Sequence, residues 1–480
     1  MRRGGRGGFV GYNEGVRRRA WFIATALVAL AALIALAVYR NPTRLAFERA
    51  AADLPAAEAE ARRLGLPLTG ADLRPKTPIM PSENAALLIR KAGEQIETLT
   101  KKHPILNELS FRGLASLSPE KRTQLDSVFA DCAPILEVAI LASAKPECDF
   151  ERPWDTKPMW EILFLEHAQL KRLTSALRNR GLWLMEKGDV SGAIRDFRAA
   201  LALARFAGSD RDALGSFLQV NLEMSGIVAI EQAATLRPRD AKLLAQLDEL
   251  LAEMESHPAR NQQILGAEVV NSLLMVNYPP DKLASAVYDH HGSGGLEGQL
   301  QVLQYSTYLA PPLVPTTIRK DAYRARALRF WSRYISSITS ADTSLRANAL
   351  IGPTLSQLDS ADEPTLRLLQ HSSPVMKLSH KTYFGSDAKV RTTRALLAVL
   401  EHRIQHGRYP TSLAGLKSNT DDPFSFSKLG YRVNGEEVRV YSVGRDEKSD
   451  GGRLLSERRW FLPRGRDIVS LYPFRPEISY

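Results

Sequence analysis

The hydrophobic pattern of the chain begins with one long uncharged run near its start. Eighteen residues without a charge, WFIATALVALAALIALAV, stand between Trp21 and Val38. At about 1.5 Å per residue they would form roughly 27 Å of helix, close to the ~30 Å hydrocarbon core of a bilayer. The six arginines before the run should stay in the cytoplasm. The pattern therefore predicts a cytoplasmic basic tail over residues 1–19 and a transmembrane helix over residues 20–39.

A cleavable signal peptide is the alternative interpretation, with Ala35-Leu36-Ala37 as a small-x-small cleavage site. The apolar run is longer than the usual core of such a signal, about 7–15 residues, which favours retention of the helix. Both interpretations export the rest of the chain. We expect an inner-membrane protein with one span, a cytoplasmic N-terminus and its bulk in the periplasm.

Apolar residues then recur at helical spacing along most of the chain. Residues 40–81 are typical of a helical stalk and linker, and residues 82–278 of an all-α bundle or short solenoid. Paired prolines and a Gly-Ser-Gly-Gly run predict a loop or hinge over residues 279–318, followed by a helical segment over residues 319–385. The predicted fold class is mainly α, with a small α+β module over residues 386–480.

Residues 177–201 have the spacing of two closely packed antiparallel helices. The residues concerned are Gly181, Gly188, Ala193, Phe197 and Ala200. They weakly resemble one tetratricopeptide unit, in which small residues allow close approach and the aromatic fills the gap. The family's tryptophan is Leu177 here, its leucine is Arg180, and no second copy follows at a 34-residue period. A plain helical hairpin is the alternative.

The segment after residue 316 interleaves arginines with aromatic residues. The aromatic positions are Tyr323, Phe330, Trp331 and Tyr334. A basic amphipathic helix of this kind can lie on an anionic membrane surface. The alternative is a bundle helix with its aromatics in the core and its arginines in solvent.

Composition limits the classes of function. The chain has 480 residues, 44% of them hydrophobic, and a net charge of +11. The first 19 residues contribute +5 through six arginines and one glutamate, which leaves +6 for the other 461. A charge this weak does not indicate nucleic-acid binding. Cys132 and Cys148 are candidates for a disulfide in an oxidising compartment, with two buried thiols as the alternative.

The last hundred residues carry a distinct order of motifs. An amphipathic helix ends at Gly407, and RYPTSLAGL follows with Thr411 as the cap of a short second helix. After DDPF come two strand-like runs, LGYRVNG and EVRVYSV, joined through Asn434-Gly435, a dipeptide typical of tight hairpins. The order resembles the globular region of the type II secretion major pseudopilin over about residues 386–470.

The resemblance implies a long helix packed on a small antiparallel sheet. It also implies a calcium ion in the loop after the hairpin. The corresponding ligands are Asp446, Asp467 and the main-chain carbonyl of Val443, with Asp450 as a further candidate. Aspartates that simply end strands and form turns are the alternative. The chain departs from a pseudopilin because about 350 residues separate its apolar run from this module, so assembly into a pilus is not expected.

Other candidate chemistry is sparse. His402 and His406 have the i, i+4 spacing of a zinc clamp, but Arg403 replaces the glutamate of the HExxH motif. Asp289-His290-His291 could ligate a metal in the loop that the sequence predicts. The whole chain looks like a bacterial envelope protein, and we expect a non-catalytic scaffold with the inner membrane and envelope proteins as partners. The alternatives are a component associated with type II secretion, and an envelope hydrolase with a site near residues 286–296.

Overall fold

Helices dominate the described part of the chain. The computed structural model describes residues 19, 21–33, 41–112, 114, 117–157, 159–255, 265–275, 277, 314–341, 344–359, 373–453 and 467–474. The α-helices are α1 (Trp21–Leu33), α2 (Pro42–Ala52), α3 (Leu54–Arg63), α4 (Ala86–Lys102), α5 (Ile105–Arg112), α6 (Pro119–Arg122), α7 (Leu125–Ser143), α8 (Leu165–Lys187), α9 (Val190–Phe206), α10 (Ala213–Leu236), α11 (Ala241–Glu255), α12 (Gly266–Met275), α13 (Thr316–Thr339), α14 (Ser344–Asp359) and α15 (Ser373–His406). Three strands follow: β1 (Gly430–Asn434), β2 (Glu437–Ser442) and β3 (Ile468–Tyr472). The prediction of a mainly helical protein with a C-terminal antiparallel sheet is confirmed.

The chain forms two compact units. The first consists of Met1–Ala57 and Val276–Arg326, and the second of Glu58–Met275 and Ala327–Tyr480. In the first unit, the ring of Phe47 packs edge-on against Tyr323 with 5.5 Å between centroids. The guanidinium of Arg326 lies 5.1 Å from the centre of the Phe47 ring. The second unit holds the bundle helices together with the C-terminal sheet.

The hairpin of α8 and α9 belongs to the second unit. Gly188 ends α8 at a φ of 93°, which a residue with a Cβ rarely adopts. Asp189 then caps α9, because its Oδ1 accepts a hydrogen bond of 2.9 Å from the amide of Gly192. A Cβ at Gly181 would lie 2.7 Å from the ring of Phe197. The helical hairpin predicted over residues 177–201 is therefore present, and its glycine allows the close approach.

One apolar core joins α8 and α9 to helices α4, α5, α7, α10, α11 and α15. Within the described residues, α10 is the one helix whose length and apolar composition would allow it to cross a bilayer, but 67% of its apolar window is buried inside the protein. We interpret α10 as the central helix of the bundle.

The aromatic residues of α13 are buried. Trp331 and Tyr334 are fully buried, Phe330 and Tyr323 nearly so. The Trp331 indole also donates a hydrogen bond of 3.0 Å to the hydroxyl of Ser272 on α12. The interpretation of this segment as a core helix is confirmed, because these rings face the protein interior instead of a lipid surface.

The C-terminal strands form one antiparallel sheet in the order β1-β2-β3. Asn434 pairs with Glu437, so the turn between β1 and β2 consists of Gly435, at a φ of 60°, and Glu436. The predicted hairpin is confirmed, with its turn one residue further along than Asn434-Gly435. The prediction of a short helix after Thr411 is wrong, since residues 411–416 form bends and turns.

Helix α15 packs on the sheet with one face and on α10 and α11 with the other. Apolar residues of the contact with the sheet include Leu396, Val399, Val438 and Val440. A buried ion pair connects the bundle to the sheet, because Lys389 Nζ lies 2.7 Å from Glu231 Oε1 of α10 and also donates to the carbonyl oxygen of Val469 on β3. The C-terminal sheet is thus an integral part of the second unit.

Candidate functional site

The aspartates predicted to bind calcium lie around the loop between β2 and β3. The carboxylate of Asp467 is buried and accepts hydrogen bonds from the amides of Asp450, at 3.0 Å and 3.1 Å, and of Gly452, at 2.6 Å. Asp446 Oδ1 accepts a hydrogen bond of 3.2 Å from the amide of Lys448. Burial raises the pKa of Asp467, and the charges of Asp450 and Asp446 add to this effect. Asp467 therefore holds the backbone of residues 450–452 through main-chain hydrogen bonds. Among the described residues, the carboxylates of Asp446, Asp450 and Asp467 do not form a group of three ligand atoms close enough to share a metal ion.

Val443, the predicted carbonyl ligand, stands directly after β2. Its amide donates a hydrogen bond of 2.9 Å to Asp422 Oδ2, and Asp422 Oδ1 accepts one of 2.7 Å from the Ser442 hydroxyl. Asp422 is buried, so its carboxylate holds the end of β2 in place. Asp422, the aspartate of the Asp-Pro pair in DDPF, therefore has a structural role.

The paired histidines lie on the exposed end of α15. Their rings stack with 4.1 Å between centroids, and His406 Nδ1 lies 3.1 Å from the carbonyl oxygen of His402. In the described part of the chain, no thiol, carboxylate or third imidazole completes a three-ligand group with them. Asp289-His290-His291 and the loop around residues 286–296 lie outside the described residues.

The two cysteines are free thiols, and both are buried. Cys132 faces the core from the middle of α7, and Cys148 follows the end of that helix. Burial raises the pKa of the Cys132 thiol to about 12. The disulfide considered from the sequence is not formed in this structure.

A buried ionic centre lies elsewhere in the second unit, and sequence reasoning did not find it. It is built by His167 in the first turn of α8, Asp210 and Asp212 before α10, and Glu268 in the first turn of α12. Arg152 completes it from the segment before α8. All five residues are at most 8% exposed. We call these five residues the buried centre.

Arg152 connects the buried centre to the neighbouring helices. Its Nε donates a hydrogen bond of 3.0 Å to Asp210 Oδ2, and its Nη1 lies 2.8 Å from Glu166 Oε2. Its guanidinium lies 5.0 Å from the ring centres of Phe150 and Phe164. Glu166 also pairs with Arg90, with 2.8 Å between Oε1 and Nε. The arginine is therefore fixed by both charge and packing.

The two carboxylate oxygens of Asp212 differ in their hydrogen bonding. Its Oδ1 caps α10 by accepting a hydrogen bond of 2.8 Å from the amide of Gly215. Its Oδ2 has no hydrogen-bond partner, and neither have Nδ1 and Nε2 of His167 or Oε2 of Glu268. Nη2 of Arg152, a donor, has none either. A buried polar atom without a partner costs about 1–3 kcal/mol. Five such atoms in one place are a strong sign of a ligand site or of stored strain.

The environment shifts the pKa values of the three carboxyl groups and of the imidazole in the direction that favours their neutral forms. Burial raises the pKa of Asp210 to about 7, although Arg152 opposes the shift, and that of Asp212 to about 6. Burial and the charge of Asp212 raise the pKa of Glu268 to about 8. Burial lowers the pKa of His167 to about 4. At neutral pH the imidazole is therefore neutral and able to donate a lone pair to a cation.

Sequence reasoning missed the buried centre because each member has an ordinary local role. Aspartate is a common N-cap residue, which accounts for Asp212. Acidic residues are also common in the first turn of a helix, which accounts for Glu268. The one local signal was the pair of aspartates in GSDRDALG, which includes a second acid beside the cap. Only the packing of α8, α10 and α12 brings the histidine to them.

Comparison with protein-family models, with curated proteins and with solved structures gives no match. The resemblances to the pseudopilin module and to a tetratricopeptide unit therefore stay predictions.

Proposed function

We propose that this protein is a single-pass, membrane-anchored scaffold of the bacterial envelope that acts through protein–protein contact. The observation that carries the proposal is the exposure of α1. Its large apolar side chains are between 54% and 69% exposed: Trp21, Phe22, Ile23, Leu27, Val28, Leu30 and Leu33. A helix that presents apolar side chains all round is stable in lipid and not in water. The arginines before it favour a cytoplasmic N-terminus.

A scaffold role is supported by the way the second unit uses its polar groups. The ion pairs Lys389–Glu231 and Arg180–Asp196 are buried between helices, where they fix the packing. The buried centre is also closed to a substrate-sized molecule, because its side chains are at most 8% exposed. Exposed leucines stand instead at the ends of helices. Leu163 and Leu165 are 75% and 66% exposed at the start of α8.

Membrane extraction tests the anchor. The full-length protein should remain in vesicles after an alkaline carbonate wash. A double variant, Val28→Arg with Leu30→Arg, should be released, because an arginine near the middle of a span costs about 2.5–3.5 kcal/mol on insertion scales. The conservative double variant Val28→Leu with Leu30→Ile should stay in the membrane. Release of the wild type by carbonate would contradict the proposal.

Site-specific photocrosslinking tests the scaffold role. A photoreactive residue in place of Leu163 or Leu165 should give discrete adducts with envelope proteins in intact cells. The matched control is Lys187 at the opposite end of α8, whose side chain is 51% exposed. Equal labelling at all three positions, or none at the two leucines, would remove the support for protein–protein contact.

A type II secretion component is the second candidate. It is supported by α15, which packs on an antiparallel sheet in the arrangement that the pseudopilin resemblance implies. This candidate expects copurification of the chain with the pseudopilins of the same cell. If the proteins crosslinked at Leu163 and Leu165 include no secretion protein, and none copurifies, this candidate is ruled out.

A further inference from the structure

We propose that His167, Asp210 and Asp212 bind one first-row divalent cation, zinc or manganese, in the interior of the second unit. One imidazole nitrogen and one carboxylate oxygen from each aspartate lie within 4.8 Å of one another. This is the one group of three such ligands among the residues that the structure describes. The proposal does not depend on the scaffold role.

The distance between the first two ligands fits a shared ion. His167 Nε2 lies 3.8 Å from Asp210 Oδ2, which is too far for a hydrogen bond. Two atoms that each bind a zinc ion at about 2.0–2.2 Å can be separated by this distance. The gap therefore leaves room for one ion between the imidazole and the carboxylate.

The third ligand is oriented by its role as a helix cap. Because Asp212 Oδ1 accepts the hydrogen bond from the amide of Gly215, Oδ2 is left without a partner. Asp212 is fully buried and His167 is 8% exposed, so water does not solvate these atoms. Both nitrogens of His167 are also without a partner. The buried lone pairs require either an ion or protons.

Gly215 keeps the space between the ligands open. A Cβ at this position would lie 2.7 Å from Asp212 Oδ2 and 3.2 Å from His167 Nε2. It would also lie 2.3 Å from the carbonyl oxygen of Ala207. A side chain here would occupy the volume where the ligand atoms meet, which gives a means of blocking the site without removing a ligand.

The charges around the buried centre favour a divalent cation. Two guanidinium groups, Arg90 and Arg152, face four carboxylates. The carboxylates belong to Glu166, Asp210, Asp212 and Glu268. Glu166 and Asp210 each pair with an arginine. Asp212 and Glu268 have no ion-pair partner among the described residues, so a bound cation would supply the positive charge that these two carboxyl groups lack. Glu268 Oε1 accepts a hydrogen bond of 2.6 Å from the amide of Ala213, and its Oε2 has no hydrogen-bond partner.

The donor set indicates which ions to test. Imidazole suits zinc and other first-row ions, and carboxylate oxygens suit manganese as well. Calcium prefers six to eight oxygen ligands and magnesium keeps most of its water, so neither matches a dry site with one nitrogen and a few oxygens. We therefore expect binding of Zn²⁺ or Mn²⁺ and weak or no binding of Ca²⁺ and Mg²⁺.

The test uses the full-length protein, purified in detergent and stripped with a chelator. Equilibrium dialysis against ZnCl₂, MnCl₂, CaCl₂ or MgCl₂, followed by elemental analysis, measures the bound ion per chain. We expect one equivalent of zinc or manganese and an increase in the melting temperature on loading. The variant Asp212→Asn keeps the helix cap, since asparagine is as good an N-cap as aspartate, and should lose the equivalent.

Two further variants separate the alternatives. Gly215→Ala should weaken binding at least tenfold although all ligands are present, and His167→Gln should abolish it. The double variant His402→Gln with His406→Gln removes exposed histidines and should bind as the wild type does. Absence of a bound ion in the wild type, or equal binding by wild type and Asp212→Asn, would overturn the proposal and leave protons as the neutralising charges.

Discussion

Removal of the Lys389 ammonium should separate the C-terminal sheet from the helical bundle. Lys389 Nζ is fully buried, 2.7 Å from Glu231 Oε1 on α10 and 2.8 Å from the carbonyl oxygen of Val469 on β3. It also lies 3.3 Å from the hydroxyl of Ser470. A methionine at this position has a similar volume but cannot donate to any of these groups. It would leave Glu231, which is 3% exposed, as a buried carboxylate without its cation.

The magnitude follows from the burial of both partners. Breaking a buried ion pair from one side costs about 3–5 kcal/mol, because the remaining charge is left uncompensated. Glu231 would keep one hydrogen bond, 2.8 Å from the Thr393 hydroxyl, which does not neutralise it. We therefore expect the free energy of unfolding of Lys389→Met to fall by about 3–5 kcal/mol. The double variant Lys389→Met with Glu231→Leu should recover most of this loss, since paired apolar replacements are often neutral or stabilising.

Urea unfolding of the full-length protein in detergent, followed by circular dichroism, measures the loss. Hydrogen exchange should show the earliest opening at β3, whose carbonyl and hydroxyl groups the lysine contacts. The matched control is Lys428→Met, because the Lys428 side chain is 71% exposed in its pair with Asp421, and such pairs contribute about 0–1 kcal/mol. If Lys389→Met and Lys428→Met unfold alike, the buried pair does not hold the sheet to the bundle.

Three more expectations concern the same unit. Phe197→Ala should lower the free energy of unfolding by about 3–5 kcal/mol in urea titrations, because the ring is 2% exposed and packs on Gly181. Asp196→Leu should cost about 3 kcal/mol, at the lower end of the range for a broken buried pair, since it removes the carboxylate 2.6 Å from Arg180 Nε and leaves only the half-exposed Glu137 at 3.8 Å. A simultaneous Arg180→Met should restore stability if the pair is the cause. Burial lowers the pKa of Lys389 in the folded protein, although the charge of Glu231 opposes the shift. The lysine of the unfolded chain therefore binds its proton more tightly than the folded one does. As the pH rises toward the ordinary lysine pKa of 10.5, the wild type should gain stability relative to Lys389→Met. A difference between the two urea midpoints that stays constant with pH would contradict this sign.

Local spacing in the sequence predicted the elements that depend on local interactions. The α8–α9 hairpin follows from Gly188 as a stop, Asp189 as a cap and Gly181 as the point of close approach. The departure from the tetratricopeptide pattern at Arg180 also has a physical reason. Arg180 forms a bidentate pair with Asp196, at 2.6 Å and 2.7 Å, in place of an apolar contact.

Longer-range features were not predictable in the same way. The helix expected after Thr411 is absent, although the cap residue was suitable, and a good cap does not supply the packing that a short helix needs. The buried centre depends on three helix starts that are far apart in the sequence. Single-residue patterns identify Asp212 as a cap and His167 as a helix residue, but not that they meet.

The orientation of the chain in the membrane is the most direct test of the proposed function. Alkaline phosphatase and green fluorescent protein, fused separately after Tyr480, report opposite sides of the inner membrane. We expect an active phosphatase fusion and a dark fluorescent fusion, because the arginines before Trp21 should keep the N-terminus in the cytoplasm. A fluorescent fusion with an inactive phosphatase would place the second unit in the cytoplasm and contradict the account.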